Sequence, residues 1–134
     1  MKQIIFIAAL LIFALPVQAK KGELYYCSTK DVMQVGAKGL LVRNASTELK
    51  LKMAPHFTFY ETSGLLRMGS GGALNWTMEV IQQGSAENSA IGLHKYRGSA
   101  ASGAEVFRIR TWSEGMPFVY LTSSEIFTGN CKVI

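Results

Sequence analysis

Apolar and polar side chains alternate with a period of two along much of this chain, the pattern of strands with one covered face. Glu23 to Thr29 reads as a strand with Tyr25 and Tyr26 flanking Cys27. Lys30 to Gly39 reads as a loop or weak strand, followed by a short strand through Leu40, Leu41 and Val42 and a polar turn at Asn44-Ala45-Ser46-Thr47. Leu49, Leu51 and Met53 then alternate with Glu48, Lys50 and Lys52, which predicts another strand. Past Pro55, Phe57 and Phe59 share a face of the next. Ser63-Gly64 turns the chain into Leu65 to Met68, and Gly69-Ser70-Gly71-Gly72 is a loop.

In the second half, Trp76, Met78 and Val80 form one face of a strand. In Ala90 to Tyr96, Ile91 and Leu93 are expected inward, with His94 and Tyr96 outward. Ala104 to Arg110 is expected to send Phe107 and Ile109 inward and Arg108 and Arg110 outward. Arg97 to Gly103 and Trp112 to Pro117 read as loops. The tail gives two more strands, Pro117 to Thr122 and Glu125 to Cys131. The spacing predicts an all-β domain, a small antiparallel barrel or sandwich of about eight strands with no amphipathic helix. The alternative is an α+β domain with a helix in Gly72 to Gln83 or near Lys30.

Composition refines this picture at both ends of the chain. Lys2, the apolar run Ile4 to Leu15 and the small-residue ending Pro16-Val17-Gln18-Ala19 form an export signal with cleavage expected after Ala19. That leaves residues 20–134 as a single β-rich domain with no later run of membrane-spanning length. Two cysteines in an exported chain point to one disulfide, Cys27–Cys131, which pins the first strand to the last. Periplasmic or secreted placement follows. Removing Lys2 leaves 13 basic against 9 acidic side chains, a surplus of +4 that a solvated surface explains without nucleic acid.

The patterns that carry catalysis are absent: no His-Glu-x-x-His, Cys-x-x-Cys, Gly-x-Ser-x-Gly or Walker loop occurs. His56 and His94 lack a third metal ligand, and the glutamates are dispersed. The expectation is therefore no catalytic residue, no metal and no cofactor. Two basic pairs spaced by two, Lys50/Lys52 and Arg108/Arg110, would each line one strand face, as a solvated surface or as a patch for an anionic partner. Trp112 either caps one end of the core or anchors a partner.

The frame Tyr25-Tyr26-Cys27 with Ile126-Phe127-Thr128-Gly129-Asn130-Cys131 resembles small exported bacterial proteins of unassigned activity. Ser99-Ala100-Ala101-Ser102-Gly103-Ala104, with Trp112-Ser113-Glu114-Gly115, is similar to the Ser-Ala-Ser-Gly and Trp-x-Lys-Gly elements of periplasmic inhibitors of C-type lysozyme. An extra alanine interrupts the first element, Val106 stands in place of a tyrosine and Glu114 in place of the lysine. In that family the serine-containing loop enters the lysozyme cleft, which the resemblance maps onto Ser102 and Gly103. The resulting expectation is a binding protein for a protein or cell-envelope component, with an inhibitor among the readings and Ser99, Ser102, Gly103, Arg108, Arg110 and Trp112 as its contacts. The alternative is a barrel that binds a small apolar ligand.

Overall fold

Strand β1, Leu24–Val35, turns Tyr25 and Cys27 inward and runs on to Val35, into the segment Lys30 to Gly39 read as a loop or weak strand. The computed structural model describes residues 23–69, 74–97 and 102–134; the predicted signal segment and Ser99 lie outside them. After β1 come β2 (Leu41–Val42), α1 (Ala45–Met53), β3 (His56–Tyr60), β4 (Leu65–Met68) and β5 (Leu74–Thr77). They are followed by β6 (Glu79–Gln82), β7 (Ala90–Arg97), β8 (Ser102–Ile109), β9 (Pro117–Leu121) and β10 (Glu125–Val133).

All ten strands among the described residues belong to one antiparallel sheet, in the order β5-β4-β3-β1-β10-β9-β8-β7-β6, with β2 paired to β1. The two ends of that order, β5 and β6, are separated in sequence by Met78 alone. A single bent stretch therefore pairs with β4 before the bend and with β7 after it, which draws the sheet into a nearly closed barrel. The Met78 N–H is taken by the Gly64 carbonyl at 2.8 Å, so the bend is held from the β3–β4 turn.

First and last strands lie side by side, and Cys27 sits opposite Cys131 in register. The Cys131 N–H donates to Met116 O, away from β1, so the two cysteines form a close, non-hydrogen-bonded pair with Cα atoms 3.9 Å apart. They are joined as the expected disulfide.

Aromatic rings fill the interior. Phe57 has its ring centre 5.4 Å from Tyr120, 5.5 Å from Phe127 and 5.8 Å from Phe118, all three edge-on. Such pairs each add about 0.5–1.5 kcal/mol beyond the area they bury. At one end Glu61, 2% exposed, accepts from the backbone N–H groups of Glu23 and Gly84 and ties the start of β1 to the β6–β7 loop.

Two sequence expectations are corrected. Leu49, Leu51 and Met53 lie on a helix, α1, and Lys50 and Lys52 form no strand ladder. The tetrad read as a turn is its cap: Asn44 Oδ1 accepts from the Thr47 N–H at 3.1 Å, and Thr47 Oγ1 accepts from the Asn44 N–H at 2.9 Å. Leu, Lys, Glu and Met favour helix, and the alternation lacked the β-branched and aromatic residues of a true strand. Glu48 in the first turn and the lysines in the last suit the helix dipole. With no apolar stripe, the helix leaves Leu49 and Met53 exposed.

The second correction concerns β7, whose faces are the reverse of those expected. Ala90 and Gly92 are buried and His94 and Tyr96 follow them on the inner side, while Ile91 and Leu93 are half-buried outside. A Cβ on Gly92 would come 2.9 Å from Met78 Sδ and 3.3 Å from Phe59 Cζ. Small residues stand inside here because neighbouring strands already supply the bulk. On β8, Phe107 and Ile109 are buried and Arg108 is exposed, as predicted.

Candidate functional site

At the end of the barrel opposite Glu61, described residues of α1 and the strands line a cleft of about 790 Å³. Met53 and Ala54 from the helix end, Met68 from β4 and Leu74 and Trp76 from β5 supply apolar wall. Tyr120 and Phe127 form the floor, their ring centres 5.8 Å apart, with the Trp76 ring 6.1 Å from Tyr120. Beneath them Phe57 and Phe107 are fully buried, so the cleft has a solid base.

Polar groups enter from one side. Tyr120 donates its phenolic hydrogen to Glu105 Oε2 at 2.5 Å. Burial, followed by the hydrogen bond and charge of Glu105, pushes the phenol well above its ordinary value, which keeps Tyr120 a donor at neutral pH. Glu105 forms no salt bridge among the described residues. His94 lies opposite it in register, with Nδ1 3.1 Å from Thr77 O. A carbonyl only accepts, so in this contact Nδ1 carries the hydrogen, and Nε2 makes no hydrogen bond among the described residues. Trp76 Nε1 is buried beside the Tyr120 hydroxyl without reaching an acceptor in hydrogen-bonding geometry.

Glu125, at the start of β10, pairs with Lys50 from α1 and accepts from the Thr122 hydroxyl at 3.1 Å. Burial would raise this carboxyl, but hydrogen bonds from Lys50, Ser124 and Thr122 and the Lys50 charge together hold it below its ordinary 4.5. Because the folded value is the lower one, this pairing stabilises the fold fully above about pH 4.5 and is lost as pH falls through the folded value. A Glu125→Gln protein should be less stable than wild type at pH 7, with a urea midpoint that falls less between pH 5 and 3. Parallel pH profiles would refute the assignment. Asp31, held low chiefly by its hydrogen bond from Arg43, keeps a residual acid slope in both proteins.

A second concavity, of about 500 Å³, lies on the barrel's outer face and is lined by Lys30, Arg108 and Arg110 over Val119 and Thr128. Lys30 projects from the bulge between Thr29 and Asp31. Arg108 donates from Nε to Ser89 Oγ at 3.2 Å, and Arg110 stacks 4.7 Å from the centre of the Trp112 ring. None of the three basic groups meets a carboxylate in a salt bridge among the described residues.

Of the residues singled out in the sequence, Arg108, Arg110 and Trp112 come together here. Trp112 stays 47% exposed and does not cap the core. Ser102 and Gly103 are not loop residues: they open β8, opposite Arg97 and Tyr96, six positions or roughly 20 Å along the strand from Arg108. The cleft residues Lys50, Trp76, Tyr96, Glu105, Tyr120 and Glu125 were not read as a group, because six separate elements bring them together. The usable signal was the carboxylate at Glu105 on the face shared with Phe107 and Ile109. No group of three or more His, Cys, Asp or Glu capable of holding a metal occurs among the described residues. No protein-family model, curated protein or solved structure matches this chain.

Proposed function

We propose that this is an exported, disulfide-stapled barrel that acts by holding a small, largely apolar ligand in the cleft beneath α1. The observation that carries the reading is the combination of an aromatic floor and methionine-rich walls around a cleft of about 790 Å³, inside the size range of small-molecule sites. The disulfide, and the absence of any membrane-crossing helix among the described residues, are compatible with export.

N-phenyl-1-naphthylamine, a neutral dye that brightens in apolar sites, tests this reading. Saturable brightening with the wild-type chain, reduced at least severalfold by Leu74→Glu at the exposed rim and reversed by 1-decanol, is the expected result. Equal brightening by both proteins, or none, would overturn it.

A macromolecular partner at the outer groove is the second reading, favoured by three basic groups without a carboxylate among them. It predicts retention of the protein on immobilised polyglutamate and earlier elution of Arg108→Ala/Arg110→Ala along a salt gradient. Co-elution of the two would remove it. The resemblance to lysozyme inhibitors adds a specific version, which a C-type lysozyme assay with the protein present decides.

A further inference from the structure

The cleft's charge runs against that of the molecule. The full chain carries +5, yet the ionised groups that line the cleft are two carboxylates, Glu105 and Glu125, against one ammonium, Lys50. Lys50 is spent on Glu125. Glu105 has no cationic partner in a salt bridge among the described residues: its Oε2 takes the Tyr120 hydroxyl, a neutral donor, and Oε1 makes no hydrogen bond there. A half-buried carboxylate beside apolar walls is costly unless a cation joins it.

Around that carboxylate stand rings. Trp76, Tyr96, Tyr120 and Phe127 all line the same cleft, and aromatic faces attract cations, more strongly where water is excluded. A free carboxylate, aromatic faces and an apolar wall are complementary to one kind of small molecule. Resting on the cleft reading above, we propose that the preferred ligand is an organic cation, a protonated amine on an apolar body, with its ammonium at Glu105 and its hydrocarbon against Met53, Met68 and Leu74.

The chemistry also says what the cleft rejects. A fatty carboxylate of the same length would set its charge against Glu105 and Glu125, the Lys50 ammonium being already engaged. A neutral alcohol would gain the apolar wall but not the charge. The order of affinity is therefore amine, alcohol, carboxylate, with chain length held constant.

Displacement of N-phenyl-1-naphthylamine from the full chain by decylamine, 1-decanol and decanoate at pH 7 reads this order. Decylamine should displace the dye at about tenfold lower concentration than 1-decanol, the scale of one charge-assisted contact, and decanoate should be the weakest. Glu105→Gln, which keeps an oxygen for Tyr120, should bring decylamine to the level of 1-decanol and leave 1-decanol unchanged. Lys50→Gln, in the last turn of α1, frees Glu125 and should widen the preference for the amine; it serves even if Glu105→Gln folds poorly. If 1-decanol displaces the dye and decylamine does no better, the cation preference is wrong while the cleft reading stands. If no compound displaces a bound dye, or no dye binds, the cleft reading itself fails and the preference falls with it.

Discussion

A Cys27→Ala/Cys131→Ala chain is expected to unfold at roughly 2 M less urea than the oxidised protein, from a loss on the order of 4 kcal/mol and a slope near 2 kcal/mol/M. The bridge closes a loop of 104 positions, and in the chain-entropy account a loop that long restricts the unfolded chain strongly. The folded side loses little packing by comparison, because β1 and β10 remain paired along their length and Tyr25, Phe57 and Phe127 stay where they are. Near-UV circular dichroism of the variant should therefore match wild type in the absence of urea, and the unreduced and reduced wild-type proteins should differ by the same midpoint shift as wild type and variant. A shift under 0.5 M would mean that the strand ladder alone holds the ends together, against the ordinary effect of such a bridge.

The second large effect is expected at Gly64. Its φ is +69°, and a Cβ there would lie 1.9 Å from the Met78 carbonyl oxygen, a backbone atom that cannot swing aside. Gly64→Ala thus adds to the left-handed strain of about 1–2 kcal/mol a collision at the one residue that joins β5 to β6. Relief requires Met78 to retreat, which breaks the 2.8 Å bond from its N–H to Gly64 O and separates the two halves that close the barrel. A loss of about 3 kcal/mol or more is expected in urea unfolding. Gly39→Ala is the control: its φ is +74° with nothing within 4 Å of the added carbon, so it should lose only the strain of about 1 kcal/mol. Equal losses at the two glycines would remove the special role given to the Met78 bend.

The strand-built architecture, the disulfide, the shared face of Phe57 and Phe59 and the inward position of Phe107 were readable from the sequence, because each strand there sets a large apolar side chain against polar neighbours. Two places were not. On α1 a perfect alternation of leucine and lysine mimicked a strand, and what decided the outcome was the cap made by Asn44 and Thr47, a local hydrogen-bond pair that outweighs a periodicity made of good helix formers. On β7 the inner face carries Ala90 and Gly92, whose smallness answers Phe59 and Met78 on other strands. Hydropathy cannot mark a position as inward when the volume it needs is set elsewhere in the chain. The same inversion hid His94 and Tyr96, and with them the cleft; Glu105 and Glu125 stand 20 positions apart in sequence and come to line one cleft only through the β8-β9-β10 order.

The side-by-side course of β1 and β10 has a mechanical consequence. Tension drawn on Leu24 and Val133 from opposite ends would reach the covalent link at Cys27 and Cys131 after only a few residues on each side. Everything between would carry no load and could not be paid out, whereas a thiol-treated molecule would release a tether of roughly 350 Å from the 104 positions that the link encloses. The barrel is thus sheltered from pulling by its own seam, a useful property for a domain whose cleft is built from seven separate elements.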